Sequence, residues 1–204
     1  MWTLTANAFA RPRMMALALS TAVLAMSWPA GAEEASAIRT MEKDFAARSG
    51  DIHWPDGFTP VKADLFAHNE TVINAACEKV WSKIVDVRQW PDWYPNSKEV
   101  TLTDDAKLIT SQGKFRWRTF GIEVESSVRE FVVNERLGWF GNVPGKAPEF
   151  YHTWLLKPEA GNCRVVTEEV GIGAGPAGFR ATNESLLHRG HELWVVGLKW
   201  ISEL

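Results

Sequence analysis

Apolar positions recur along this chain first at helical spacing, then at every second residue, then at helical spacing again. From Ala35 to Arg48 they fall at Ala35, Ile38, Met41 and Phe45, with Arg39, Glu42, Lys43 and Asp44 elsewhere on the wheel, which predicts a short amphipathic helix. Ser49-Gly50 stops it, and the turn-rich Trp54-Pro55-Asp56-Gly57-Phe58-Thr59-Pro60 reads as a linker tethering it to the rest. A strand is expected over Ala63–Asn74. Ala76–Val87 then sets Val80, Trp81, Ile84 and Val85 on one helical face, and Arg88–Pro95 is a short aromatic segment broken by Pro91 and Pro95. The period next shortens to two. Strands are expected over Glu99–Thr103, Lys114–Phe120, Ile122–Val133, Leu137–Gly141, Glu149–Lys157 and Arg164–Ile172. In Phe115-Arg116-Trp117-Arg118 the aromatics point one way and the arginines the other. Gly121, Asn134-Glu135, Pro144-Gly145 and Ala160-Gly161-Asn162 are hairpin turns between them, so the sheet is antiparallel. After the glycine-rich stretch Gly171–Gly178 the helical period holds to Leu204, with Leu187, Trp194, Leu198 and Ile201 on one stripe. One amphipathic helix must bury that stripe on one curved sheet.

The residues before this pattern change its context. Arg11 and Arg13 precede a charge-free run from Met14 to Trp28, and Pro29 and the small-x-small triplet Ala30-Gly31-Ala32 follow. That order predicts a secretory signal peptide over residues 1–32; an uncleaved anchor is the alternative, although the run is short for a membrane span. The mature chain then divides into residues 33–60, helix and linker, and 61–204, one α+β domain, in the periplasm or secreted. It has no second long apolar run and so no expected membrane span. In an oxidising compartment the two cysteines, Cys77 and Cys163, permit one disulfide. A net charge of −3 without any Lys/Arg cluster excludes a phosphate-backbone binder, so no nucleic-acid partner is expected. The 11 tryptophans against 2 tyrosines demand a large core, a stacking surface or an apolar pocket.

Several stretches in this order carry a family resemblance: Ile73–Trp81, Asp86-Val87-Arg88-Gln89-Trp90-Pro91-Asp92-Trp93-Tyr94-Pro95, Arg136-Leu137-Gly138-Trp139, His152-Thr153-Trp154, Arg164–Glu169 and the helix Trp194–Glu203. Together they resemble the START-like (SRPBCC) superfamily, in particular its polyketide cyclase/dehydrase and lipid-transport group, over roughly Val61 to Leu204. The resemblance implies a helix-grip fold. A curved antiparallel sheet of about seven strands wraps a long C-terminal helix, two short helices follow the first strand, and a cavity lies between sheet and helix. It also implies that the first and last strands pair, which brings Cys77 beside Cys163 and makes a disulfide the expectation. Residues before Val61 lie outside the family pattern.

On that fold, alternation places Phe115, Trp117, Ile122, Val124, Ser126, Val128, Leu137, Trp139, Phe150, His152, Trp154 and Leu156 on the concave face. The expected ligand-binding set is Phe115, Trp117, Val124, Ser126, Val128, Trp139, Phe150, His152, Trp154 and, from the helix, Gly190, Trp194 and Gly197. Each helical glycine costs about 1 kcal/mol relative to alanine, so these two mark either ligand room or close packing. Trp90, Trp93 and Tyr94 are either a rim to the pocket or a plug beneath it. His152 is the main candidate for polar chemistry, with Glu169 as its carboxylate, because burial keeps a histidine neutral and suited to proton transfer. His188 and His191, with Glu184, imitate a metal site but lack a third ligand at good spacing; no metal and no cofactor are expected. The leading expectation is an exported protein that holds an apolar small molecule, lipid-like or aromatic, in a cavity of at least about 300 Å³. A cyclase/dehydratase-like enzyme using His152 and a carboxylate, and an envelope interaction module with a filled core, are the alternatives.

Overall fold

A computed structural model describes residues 41–104 and 106–204; the expected signal peptide and the first turns of the Ala35–Arg48 helix lie outside them. The elements run α1 (Met41–Ala47), β1 (Leu65–Ile73), α2 (Cys77–Val85), α3 (Trp90–Trp93), β2 (Lys98–Leu102) and β3 (Lys114–Thr119), then β4 (Ile122–Val132), β5 (Arg136–Asn142), β6 (Phe150–Glu159), β7 (Asn162–Gly171), α4 (Ala174–Thr182) and α5 (Leu186–Glu203). Seven strands form one antiparallel sheet in the order β1-β7-β6-β5-β4-β3-β2. This is the helix-grip α+β fold. Local chemistry fixes the hairpins: Phe120-Gly121 and Ala160-Gly161 both take positive φ, the two-residue turn whose twist matches the flanking strands.

Register decides which side chains meet the helix. Trp139 pairs with Val128 and His152, and His152 pairs with Glu169, which pairs with Ala67. That row runs across five neighbouring strands and shares a face with the buried Phe115, Trp117, Leu137, Trp154 and Leu156. Trp194 of α5 packs into this face against Trp117, Trp139 and Trp154. Trp90 stands at the centre, in contact with Phe115, Trp117, Trp139 and Trp194 at centroid distances of 5.0–5.8 Å. Its Nε1–H donates to the Ile84 carbonyl at 3.0 Å. Toward α2 the interior is one continuous cluster of buried apolar side chains, and Cys77 and Cys163 are joined there by a disulfide with Cα atoms 4.9 Å apart.

Two expectations differ from the structure. The C-terminal helical region is two helices rather than one. Asn183 is extended (φ −162°, ψ 94°), and Ser185 Oγ donates to its Oδ1, a local side-chain alternative to helical pairing that breaks the run. The turn-rich segment after α1 is also no loose tether. Residues 41–58 lie as a strap over the convex face of the sheet. Phe45 and Trp54 pack on Phe66, Trp54 on Tyr151, Phe58 on Phe140, and Ile52 on Leu155 and Val166. Beneath the strap the fully buried Glu168 accepts from Ser49 N at 2.6 Å and from His68 Nδ1 at 2.7 Å. The prolines and glycine read as linker do make turns, but the aromatics among them are partly buried against the sheet.

Candidate ligand-binding pocket

The end of the sheet away from the disulfide is not filled. A hollow of about 140 Å³ lies among the β3–β4 hairpin, the facing ends of β5, β6 and β7, α4 and the start of α5. Its walls are aromatic and aliphatic: Trp117, Phe120, Ile122, Val124, Trp139, Val143, Phe150, Phe179, Leu187 and Trp194. Tyr94, stacked on Trp194 at 4.5 Å and 5°, also lines it. Burial pushes the Tyr94 phenol up from its ordinary range, so it serves as a neutral hydrogen-bonding group. The hollow stops where it does because Trp90 occupies the middle of the interior. The filled-core expectation therefore describes one half of the domain and the cavity expectation the other.

The twelve expected binding residues divide along the same line. Trp117, Val124, Trp139, Phe150, His152 and Trp194 line the hollow. Phe115, Ser126, Val128 and Trp154 do not: they belong to the packed half, where Ser126 Oγ accepts from Trp117 Nε1 at 3.1 Å. The glycines mark close packing. A Cβ at Gly197 would overlap the Trp93 carbonyl oxygen, and one at Gly190 would overlap the Phe120 ring. Trp90 and Trp93 are the plug, while Tyr94 reaches the cavity.

The polar end of the hollow is built from three elements. His152 on β6 and Glu169 on β7 are direct cross-strand partners, and His191 comes down from α5. His191 Nε2 donates to Glu169 Oε2 at 2.9 Å, and His152 Nε2 is hydrogen-bonded to the Thr167 hydroxyl at 3.0 Å. His152 is stacked on Trp139 at 4.3 Å and 26°, with the His191 ring edge-on at 5.0 Å. Burial first, and the neighbouring His191 second, hold the His152 imidazole well below its usual pKa. His152 is thus a neutral base at physiological pH. One donor atom from each of His152, Glu169 and His191 lies within 4.8 Å of the others. His188, three residues before His191, turns to Asp44, 3.0 Å away beneath α1.

His191 is the main residue that reasoning from the sequence undervalued. The signal was present: Leu187, His191, Trp194 and Leu198 recur at four, three and four residues, so His191 belongs to the buried stripe.

Comparisons with known proteins agree with this architecture. The profile described as polyketide cyclase / dehydrase and lipid transport matches residues 67–190, more than half of the chain. The chain belongs to that family. It is a START-like protein, and several solved structures superpose on it. A hypothetical protein of Helicobacter pylori is 27% identical with a TM-score of 0.69, covering 76% of this chain and 98% of its own. The ZhuI aromatase/cyclase of Streptomyces sp. R1128 is 14% identical with a TM-score of 0.54, covering 68% and 93%. A START superfamily protein of Mycobacterium smegmatis is 14% identical, also at 0.54, covering 68% and 97%. At such identities the last two speak for the fold alone. No curated protein matches the chain. Family membership makes hydrophobic ligand binding or cyclase-type chemistry the relevant range of functions, and the hollow of this START-like chain narrows it.

Proposed function

We propose that this protein holds a compact, mainly apolar molecule, about one aromatic ring with a short substituent, and receives its one polar group on His152, Glu169 and His191. The observation that carries this reading is the aromatic hollow closing on that trio. Its volume of about 140 Å³ is close to the roughly 150 Å³ at which an apolar protein cavity accepts benzene. It is well under the ~300 Å³ at which drug-sized sites begin. A long acyl chain or a folded multi-ring polyketide therefore does not belong in the proposal, which departs from the lipid-like guest expected from the sequence. We place the protein outside the cytoplasm. The charge-free run Met14–Trp28 before Ala30-Gly31-Ala32 supports this, as does the Cys77–Cys163 disulfide, a bond that persists in oxidising compartments.

Gly141 offers a clean test. A Cβ there would sit 3.5 Å from Val124 Cγ1 and 3.7 Å from Phe150 Cβ, ordinary contact distances, and the residue lines the hollow. Gly141→Leu should fill the space without disturbing the fold. Titrated with acetophenone in a calorimeter, the wild-type chain should bind one molecule and Gly141→Leu none, with little change in melting temperature. Absence of wild-type binding, or equal binding by both proteins, refutes the reading.

A second reading has its own support. The register that sets a neutral His152 opposite Glu169 is an acid/base pair within reach of one guest. A cyclase or dehydratase step on an equally compact ketone would use it. Exchange of the ketone's α-protons with deuterium oxide, faster with wild type than with Glu169→Gln, is the expected sign. No acceleration over buffer removes this reading and leaves the binding one standing.

A further inference from the structure

We infer that His152, Glu169 and His191 form a binding site for a divalent transition metal, zinc by its donor set, with the fourth position open to the apolar hollow. Three features of the side chains lead there. First, the donor types are two imidazoles and one carboxylate, the set that suits zinc and its first-row neighbours and not magnesium or calcium. Second, the spacing is close to what a metal requires. Donors about 2.0–2.1 Å from zinc in tetrahedral geometry stand roughly 3.3 Å apart. His191 Nε2 and Glu169 Oε2 are already 2.9 Å apart, and all three donors fall within 4.8 Å of one another. A shift of about an ångström by the His152 ring or the Glu169 carboxylate completes the site.

Third, the histidines are prepared as ligands and otherwise badly placed. Both rings are almost wholly buried, and His152 Nδ1 has no hydrogen-bond partner among the described residues. Such an orphaned buried nitrogen calls for an explanation, and a bound ion is one. Thr167, itself fully buried, occupies His152 Nε2 and leaves Nδ1 as the nitrogen available for coordination. This is the outer-shell contact that fixes tautomer and ring orientation in metal sites. With a single carboxylate, a divalent ion retains one positive charge in an apolar surrounding. An anionic oxygen on the guest, a phenolate or enolate, would neutralise it at the open position.

The inference shares the pocket with the proposed function and rests on that reading only for the open fourth position. The two are therefore tested apart: the metal without a guest, and acetophenone on metal-free protein. The full chain is freed of metal with a chelator and titrated with zinc chloride by calorimetry. Cobalt(II) is then added in place of zinc to read the visible d–d bands of a low-coordinate site. Imidazole nitrogen NMR of the wild-type protein, which needs no variant, identifies the coordinated rings. We expect one equivalent of zinc, coordination shifts at His152 and His191, and affinity reduced about 100-fold or more in Glu169→Gln, beyond the 10–100-fold of an outer-shell change. Absence of stoichiometric binding overturns the inference. So does coordination at His53, His68 or His188 in place of the trio, or undiminished affinity in Glu169→Gln. Acetophenone binding by metal-free protein stands or falls separately.

Discussion

Replacing Trp90 by alanine perturbs the account at its mechanical centre. The indole touches four aromatic residues and bonds the Ile84 carbonyl, and it is fully buried. Tryptophan-to-alanine changes in cores cost about 3–5 kcal/mol, the larger values where the surroundings cannot collapse. Rings fixed by their own contacts collapse poorly, and the Ile84 carbonyl loses a partner for roughly another 1 kcal/mol. The expected loss is therefore about 4–6 kcal/mol, a large part of the 5–15 kcal/mol available to a domain. Trp90→Phe, which keeps a ring but not the N–H, should lose about half as much. Urea unfolding at fixed pH with the disulfide intact measures both. The same change should alter binding. Trp90 backs Trp117, Trp139 and Trp194, which line the hollow, so its removal leaves space that opens between those rings into the cavity. A two-ring guest such as acetonaphthone, excluded from wild type, should then bind the Trp90→Ala protein. A loss under about 1.5 kcal/mol, or continued exclusion of acetonaphthone from a folded variant, would refute the idea that this ring sets the size of the cavity.

Gly197→Ala separates packing from propensity: helix propensity alone predicts a gain of about 1 kcal/mol. Overlap with the Trp93 carbonyl oxygen predicts a loss of about 1–3 kcal/mol, which thermal unfolding will read by its sign. His152 makes stability depend on pH. In the unfolded chain it takes up a proton near pH 6.5, whereas the folded site resists protonation. Stability is therefore complete above about 6.5 and falls by about 1.4 kcal/mol per pH unit below it, until the folded histidine itself protonates. The slope difference between wild type and His152→Gln in metal-free urea titrations isolates this contribution; equal slopes would contradict it. The Cys77–Cys163 bond closes a sequence separation of 86 residues, which the chain-entropy argument values at roughly 4–5 kcal/mol. Reduction should lower the urea midpoint accordingly, and an unchanged midpoint would argue against the bond.

Much of the fold was legible because the strands alternate cleanly and their turns carry the residues that positive φ requires. Strand limits read from periodicity fall within two residues of those in the structure. The inward direction of Trp139, His152 and Trp154 followed from counting by twos. What failed to show in sequence was where the inside is full. Phe115 and Trp117 are two apart on one strand and chemically alike, yet only Trp117 reaches the hollow, because Trp90 arrives from a distant segment to fill the space beside both. Periodicity reports a face and not the distance across it. The strap was hidden for a related reason: Trp54 and Phe58 sit among turn residues without any period, and only the convex face of the sheet, absent from a local window, explains why they pack inward. His191 was legible on the helical stripe, four residues after Leu187 and three before Trp194, but nothing in a local window shows that the stripe brings it to Glu169.

The central claim is that a small guest enters the hollow and presents its polar group to the histidines. Titrating metal-free protein with acetophenone while following the imidazole carbon-bound protons by NMR tests it most directly. Saturable shifts of His152 and His191 at one molecule per chain, with His53 on the surface unmoved, are the predicted result. Shifts that never saturate, or that leave His152 and His191 untouched, would contradict the account.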